Sequence, residues 1–291
     1  MRALAAFVMR GRLAAMAVAG VAAMIPLLLW VSGAVIALVT LRRGAAEGLL
    51  VTAGATATLG LASQASVGTP VPALQAPIQV WLPVMAVAIC LRVTVSLPRA
   101  LELAAGMAGL GVVAFHVAVG DAVAYWREVL EQGAKLFADP ATGETLQIPV
   151  GDIAPLLTGL WFGNLLLLGV ASLLLGRWWQ ALLYNPGGFR AEFHGLHFTR
   201  GFALVALGLL AVAAFSGPGI INDVALVVST VFVLQALAVA HSVAGRRGVS
   251  AAWLVPVYVL LPPLARIYAL VGMLDVFVDL RGRLAGPAGR A

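Results

Sequence analysis

The chain alternates between long apolar stretches and short polar stretches, and many of the polar ones contain Pro or Gly. A helix needs about 20 mostly apolar residues to cross the hydrocarbon core of a bilayer. Most of the apolar stretches approach that length, and two short ones each adjoin a longer one. The predicted membrane segments are residues 13–31, 32–41, 46–62, 78–97, 100–120, 153–176, 201–216, 220–240, 251–263 and 264–280.

The composition strengthens this prediction, because 62% of the residues are hydrophobic and only 10% are charged. Ordinary soluble domains are roughly 45–50% apolar and about 25% charged. A soluble fold with so few charges could not cover its surface with polar groups, whereas lipid needs no such cover. We therefore expect an all-α, polytopic transmembrane helical bundle of about 8–10 membrane segments, some short or broken, that forms a single integral membrane domain over residues 1–291.

Two stretches, residues 13–41 and 251–280, are too long for one span and too short for two. As single helices each would be about 45 Å long, against a hydrocarbon core of ~30 Å. Pro26 and Gly33 interrupt the first stretch, and the Pro262-Pro263 pair interrupts the second. We expect each to turn inside the membrane as a broken hairpin, with the backbone groups of the turn facing protein or trapped water.

Most basic residues fall on one side of the membrane if both hairpins turn back. Arginines then lie near the N-terminus, at 42–43, 92–99, 177–200 and 246–247, and in the C-terminal tail. Cytoplasmic loops of membrane proteins are enriched in Lys and Arg. We expect a bacterial inner-membrane protein with both termini in the cytoplasm, an outer acidic loop at 120–152 and a cytoplasmic interfacial loop at 177–200.

Other function classes find no support in the sequence. The net charge of +6 comes from small scattered groups, which form no basic stripe for nucleic acid. The single cysteine, Cys90, excludes an internal disulfide and a cysteine-rich metal site. No signature of a serine hydrolase, zinc protease or phosphate-binding loop is present. We therefore expect no enzymatic activity, no cofactor and no nucleic-acid partner.

Ionisable groups inside a membrane are candidates for function. Arg266, just beyond the Pro262-Pro263 pair, is the only basic residue that the predicted topology places in the membrane. With Tyr268 and Asp223 it forms the candidate ligand site, for which an anionic or carboxylate-bearing solute is the natural guest. The alternative is that Arg266 extends to the outer interface and anchors the helix.

The remaining polar groups have structural explanations. Asp275 and Asp279 share a helix face, and Asp279 is spaced for an ion pair with Arg283. We expect these carboxylates to be solvated at the cytoplasmic interface. His116 and Asn164 are expected to form hydrogen bonds between helices.

Segment 177–200 combines aromatic and basic residues with a turn motif, a mixture that suits the headgroup region. We expect it to lie along the cytoplasmic interface, because it is too polar and too broken to span. His194 and His197 could share a metal ion, but beyond Glu192 no further ligand is evident, so no metal site is predicted. The candidate partner-docking residues are Trp178, Trp179, Asn185, Pro186, Gly187, Gly188, Phe189 and Arg190.

Three segments resemble the YybS-like family of bacterial membrane proteins. They are Trp-Trp-Gln-Ala-Leu-Leu-Tyr-Asn-Pro-Gly-Gly-Phe-Arg at 178–190, Leu-Val-Thr-Leu-Arg-Arg-Gly at 38–44, and the stretch 270–281. The resemblance extends over nearly the whole chain, and the family has no assigned function. It is distantly similar to the substrate-binding S components of energy-coupling-factor transporters, which implies small-solute transport without identifying any binding residue.

Two functions stay open. The first is a small-solute binding or transport subunit without its own ATPase. The second is a non-transporting scaffold that docks a membrane or cytoplasmic protein partner through segment 177–200. A polar, ligand-sized cavity enclosed by the bundle would favour the first, and a fully packed bundle with an exposed aromatic loop would favour the second. In either case the lipid bilayer is the main surrounding partner.

Overall fold

The computed structural model describes residues 1–136 and 149–284, and every regular element in these ranges is helical. Short 3₁₀ turns lie at Pro26–Leu28, Val71–Leu74, Ala154–Leu156 and Ala251–Leu254, and a π-helical turn lies at Pro77–Trp81. The α-helices are α1 (Arg2–Val8), α2 (Arg12–Ala23), α3 (Leu29–Arg43), α4 (Ala45–Val67), α5 (Leu82–Thr94), α6 (Leu97–Val119), α7 (Ala122–Leu136), α8 (Val150–Ile153), α9 (Leu157–Tyr184), α10 (Gly188–His194), α11 (Arg200–Ala213), α12 (Ile220–Thr230), α13 (Phe232–Arg246), α14 (Val255–Val278) and α15 (Leu280–Leu284).

Within these ranges, 7 helical stretches are long and apolar enough to cross a membrane, and two shorter apolar helices, Arg12–Ala23 and Arg200–Ala213, accompany them. The predicted all-α polytopic helical bundle is therefore confirmed. The long stretches are Pro26–Arg43, Ala45–Val67, Val71–Thr94, Leu97–Val119, Val150–Tyr184, Ile220–Arg246 and Ala252–Val278.

The first predicted hairpin is present, and its turn is at Pro26. Ser32 Oγ on α3 donates to the Ala19 carbonyl oxygen on α2 at 2.7 Å, and Arg43 Nη2 donates to the Met9 carbonyl oxygen at 2.7 Å. These contacts make α2 and α3 antiparallel. The prediction of a break at Gly33 was wrong, because Gly33 lies inside α3, where it leaves room for Ser172 of α9.

The second hairpin turns at Leu264, directly after the Pro262-Pro263 pair. Leu264 has non-helical dihedral angles (φ −112, ψ 18), which divide α14 into a first arm (255–263) and a second arm (265–278). Tyr268 Oη donates to the Val257 carbonyl oxygen at 2.9 Å. In a straight helix these two residues would be about 16 Å apart, too far for this contact. The prolines therefore fold the two arms towards each other.

Both arms of α14 pack against α13. On the first arm, Tyr258 Oη and His241 Nε2 of α13 share a hydrogen bond of 2.8 Å. On the second arm, Asp275 contacts Gln235, and beyond it the Arg281 carbonyl oxygen accepts from Arg246 Nη1. The first arm is thus antiparallel to α13 and the second is parallel to it, as a membrane hairpin requires.

Helix ends that carry arginines gather at one end of the bundle, which we call the basic end. The helices that begin there include α2, α4, α6 and α11, and α3, α5 and α13 end there. The contacts are Arg12 with Glu47, Arg43 Nη2 with the Met9 carbonyl oxygen (2.7 Å), Arg92 Nη1 with the Leu41 carbonyl oxygen (2.6 Å), Thr199 N with Glu102 Oε1 (2.7 Å) and Arg281 Nη1 with the His194 carbonyl oxygen (2.6 Å). The first and last described helices therefore lie at the same end, and the side of the membrane that it faces stays a prediction.

Segment 120–152 begins at the opposite end of the bundle. Its first half forms α7, which the sequence analysis treated as loop, and residues 137–148 lie outside the described residues. Trp126 Nε1 donates to Thr158 Oγ1 at 2.9 Å, which holds α7 against the start of α9. Helix α7 therefore covers the space between the spanning helices at this end of the bundle.

Candidate functional site

A cavity of about 680 Å³ lies between α5, α6 and α9, with α7 as its cover. We call it the aromatic cavity. The residues that line it are Gln75, Ile78, Gln79, Pro83, Val84, Val87, Ala104, Met107, Ala108, Gly111, Phe115, Tyr125, Trp126, Val129, Trp161, Phe162, Leu165, Leu166, Gly169 and Val170.

Five aromatic rings form the wall of the cavity next to α7. Phe115 of α6 is at the centre, with ring centroids 5.7 Å from Trp126, 5.4 Å from Tyr125 and 6.1 Å from Phe162. Trp161 of α9 continues the cluster, 5.9 Å from Trp126. Edge-to-face and offset contacts of this kind stabilise aromatic clusters beyond their burial alone. The rings therefore form one continuous wall.

Two carboxamides, those of Gln75 and Gln79, line the cavity. Gln79 lies in the π-helical turn Pro77–Trp81, and Gln75 lies one turn before it. In the same turn Trp81 is buried and its Nε1 donates to Ser32 Oγ at 2.9 Å. A π-helical turn rotates neighbouring side chains relative to an α-helix, and such turns recur at functional sites. Here the turn presents Trp81 to the core and Gln79 to the cavity.

The cavity carries no charge within the described part of the chain, because none of its lining residues is acidic, basic or a histidine. Each Gln side chain offers two N–H donors and one carbonyl acceptor. The site can therefore solvate an apolar or aromatic body and form hydrogen bonds to a neutral polar group. It offers no counter-ion to an anion.

A buried polar cluster lies behind the aromatic wall. His116 Nε2 and Asp223 Oδ2 are 2.8 Å apart, and Asp223 Oδ1 accepts from Gly159 N at 3.1 Å. The contact between α6 and α12 confirms His116 as an interhelical partner, whereas Asn164 is exposed on α9. Asp223 is in the first turn of α12, where a negative charge complements the helix N-terminus. This cluster joins three helices that support the cavity.

The structure does not bring the predicted ligand residues together. Arg266 is exposed and lines neither the aromatic cavity nor the two open grooves beside α14. Tyr268 bonds to Val257 between the arms of α14, and Asp223 bonds to His116 in another part of the bundle. Arg266 and Tyr268 are two residues apart and so point to nearly opposite sides of a helix. Since Tyr268 faces the other arm, Arg266 faces outwards, so a ligand role for these three residues stays a prediction that this geometry does not support.

The predicted docking segment is also shorter than expected. Helix α9 continues to Tyr184, so the first part of segment 177–200 is helical. Trp179 is 0% exposed and Trp178 packs against the core, so Trp179 cannot contact a partner. Of the predicted docking residues, Asn185, Pro186 and Gly187 are exposed, in the turn that follows α9. After it, Gly188 begins α10, on which Arg190 is exposed and Phe189 stacks on Phe193.

The surroundings of His194 and Glu192 do not favour a metal site. Burial lowers the pKa of His194, and the positive charges of Arg190, His241 and Arg281 lower it further. Glu192 forms an ion pair of 2.8 Å with Arg177. Among residues 1–136 and 149–284, no three His, Cys, Asp or Glu side chains are placed to hold a metal ion.

A buried hydrogen-bond network that the sequence does not predict lies at the basic end. Asp275 is 0% exposed, so the expectation that it is solvated was wrong. Its Oδ2 accepts from Arg281 Nη2 at 3.0 Å and from Gln235 Nε2 at 2.9 Å. Gln235 Oε1 in turn accepts from Phe198 N at 2.9 Å, and Arg281 Nη2 also donates to the Leu196 carbonyl oxygen. The parallel packing of the second arm on α13 turns Asp275 inwards.

Comparison with known proteins found no matching family model, no similar curated protein and no similar solved structure. The resemblance to the YybS-like family therefore stays a prediction. The geometry of the cavities and the charges around them are therefore the observations that bear on function.

The residues of the aromatic cavity carried one signal in the sequence. Aromatic residues cluster at 115–126 and 161–162, on both sides of the polar segment between two predicted spans. Such residues are common at membrane interfaces, so the pattern alone does not distinguish a binding wall from an interfacial belt. Only the closure of α7 over α6 and α9 joins them around one space.

Proposed function

We propose that the protein is a membrane-embedded binding subunit for a neutral, predominantly apolar small molecule, held in the aromatic cavity. The observation that carries the proposal is the cavity itself. Its volume of about 680 Å³ falls within the ~300–1,000 Å³ that is typical of ligand sites. Such sites combine apolar and aromatic walls with a few polar groups that orient the ligand.

The lining residues indicate which kind of ligand the cavity can bind. A flat ring can stack on Phe115, Trp126 or Trp161, and a hydroxyl, carbonyl or amide group can reach Gln75 or Gln79. An anion would lose its hydration without gaining a counter-ion, which is costly. The proposal therefore replaces the anionic solute that Arg266 suggested with an uncharged one.

The route to the cavity is lateral, from the hydrocarbon of the membrane. Ile78, at the rim, is 62% exposed, and Trp161 is also exposed. In a bilayer these side chains meet lipid, and an apolar molecule that is already dissolved there can enter without crossing water. The chain has no nucleotide-binding motif, so directed transport would require a partner that supplies the energy.

The alternative of a docking scaffold has less support. Its strongest anchors were Trp178 and Trp179, and aromatic anchors dominate the energetics of protein interfaces. With Trp179 buried, the exposed turn Asn185–Gly187 offers few apolar contacts to a partner.

We expect Ala108→Phe to abolish ligand binding, because the added ring would fill the cavity from α6. The matched control is Leu110→Phe, since Leu110 is two residues away on the same helix and 70% exposed on its outer surface. Both variants would be purified from native membranes in mild detergent. Small molecules extracted from each would then be compared by mass spectrometry with those from the unmodified protein.

The expected result is a neutral molecule that is enriched with the unmodified protein and with Leu110→Phe but lost from Ala108→Phe. A molecule retained equally by both variants would be bound elsewhere. If the well-folded, unmodified protein carried no molecule beyond those of a control membrane protein, the proposal would be refuted.

The proposed location is the bacterial inner membrane, with the basic end and both termini in the cytoplasm and α7 outside. In a Cys90→Ala background, we expect Lys135→Cys to react with a membrane-impermeant maleimide on intact cells. Arg190→Cys, at the basic end, should react only after permeabilisation. Both positions are exposed, so accessibility is not limited by burial. Labelling of both cysteines from the same side would contradict this topology.

A further inference from the structure

A second, open groove of about 430 Å³ runs along α13 between the two arms of α14. Its floor consists of small residues that recur every four positions, Ala236, Ala240 and Ala244. Val257 of the first arm and Val271 of the second form its walls. The groove exists because the reversal after Pro262-Pro263 places two arms, rather than one helix, on the same face of α13.

The length of the groove matches the hydrocarbon of one leaflet. The groove runs from Ala236 on α13 to Arg247 directly after it, eleven residues apart, which is about 16 Å along a helix. The hydrocarbon core of a bilayer is ~30 Å thick, so half of it is of the same length. A groove of this length that begins at the basic end is long enough for a lipid acyl chain of the nearer leaflet.

The polar mouth of the groove is positively charged. Arg247 lines it, and its Nε donates to the Leu284 carbonyl oxygen at 3.0 Å. Arg246 precedes it and donates to the Arg281 carbonyl oxygen. Within the described ranges, the ion pairs of the protein involve other residues, so neither guanidinium meets a carboxylate there. Guanidinium groups bind phosphate through paired, charge-assisted hydrogen bonds.

The surroundings of the groove indicate lipid as its occupant. Two side chains that line the groove, Trp253 just before the first arm and Ile267 of the second arm, are exposed. In a membrane the medium against this face is acyl chain, and basic pockets between membrane helices bind anionic headgroups. A phospholipid site needs an apolar floor, a length that matches one leaflet and a cationic mouth. This groove has all three.

We propose that this groove is a specific site for an anionic phospholipid, with one acyl chain along Ala236–Ala244 and the phosphate at Arg247. The site shares no lining residue with the aromatic cavity. The proposal therefore does not rest on the function proposed above, and either can fail without the other.

The test is a lipid titration of the full chain in mild detergent, followed by native mass spectrometry. Dioleoyl phosphatidylglycerol is the anionic lipid and dioleoyl phosphatidylcholine is the zwitterionic reference. We expect phosphatidylglycerol to bind about tenfold more tightly, and Arg247→Gln to remove that preference. The control is Arg99→Gln, an exposed arginine at the basic end that does not line the groove. It should retain the preference.

Ala240→Phe tests the acyl-chain part of the site, because the ring would occupy the floor of the groove. It should weaken the binding of both lipids, and Ala244→Leu serves the same purpose if Ala240→Phe does not fold. Equal binding of the two lipids by the unmodified protein would overturn the proposal. So would equal losses in Arg247→Gln and Arg99→Gln, or displacement of phosphatidylglycerol by comparable concentrations of inorganic phosphate.

Discussion

Arg281→Gln is expected to destabilise the folded protein by about 3–5 kcal/mol, the largest effect of any single substitution that we propose. The guanidinium of Arg281 is the only described cation paired with the Asp275 carboxylate, which is fully buried. It also bonds to the carbonyl oxygens of His194 and Leu196. Without this guanidinium, the buried negative charge of Asp275 keeps only neutral hydrogen-bond donors. The segment between α10 and α11 also loses its hydrogen bonds to Arg281.

The matched control is Arg283→Gln, because Arg283 lies in the same short helix but is exposed. Unfolding of both variants would be followed thermally and by denaturant in the same detergent. We expect Arg283→Gln to remain within about 0.5 kcal/mol of the unmodified protein, as surface substitutions usually do. The double substitution Asp275→Leu, Arg281→Met should recover much of the loss, since neither buried charge is then unpaired. If Arg281→Gln and Arg283→Gln were equally stable, the buried network around Asp275 would not be what stabilises the fold.

Gly272→Ala should produce the second large effect, a destabilisation of about 3 kcal/mol. A Cβ at Gly272 would lie 2.8 Å from the Phe232 carbonyl carbon and 3.2 Å from Ala236 N, and closer still to the Phe232 carbonyl oxygen. These are backbone atoms of α13, which cannot move aside as a side chain can. The second arm would therefore have to separate from α13, and with it the contact between Gln235 and Asp275.

Gly106→Ala is the control with the opposite expectation. Gly106 is exposed within α6, and a Cβ there meets no atom within 4 Å. Alanine favours helix over glycine by about 1 kcal/mol, so this variant should be as stable as the unmodified protein or more stable. Both variants replace a helical glycine with alanine. Comparing their stability in one detergent therefore separates the effect of close packing from a general preference for glycine. If Gly272→Ala unfolded at the same temperature as Gly106→Ala, the close approach of the second arm to α13 would be wrong.

The sequence by itself determined that the chain forms helical membrane segments, and it determined their approximate positions. It also determined the two hairpin turns. The reason is that these features depend on local and additive physics. Apolar length decides whether a helix can span, and proline removes a backbone donor wherever it falls. The turns at Pro26 and after Pro262-Pro263 were therefore predictable, and the clustering of arginines at one end followed from them.

Only the tertiary structure decided which way each side chain faces. The apolar periodicity of a soluble helix reveals its buried face, but a membrane helix is apolar on all sides and gives no such signal. The sequence therefore suggests a docking surface for Trp179, a ligand site for Arg266 and solvent for Asp275. In the structure Trp179 and Asp275 are buried, and Arg266 is exposed. The aromatic cavity likewise requires four helices, α5, α6, α7 and α9, to pack around one space. Its residues meet because of how those helices rotate and pack, which no segment of the sequence specifies alone.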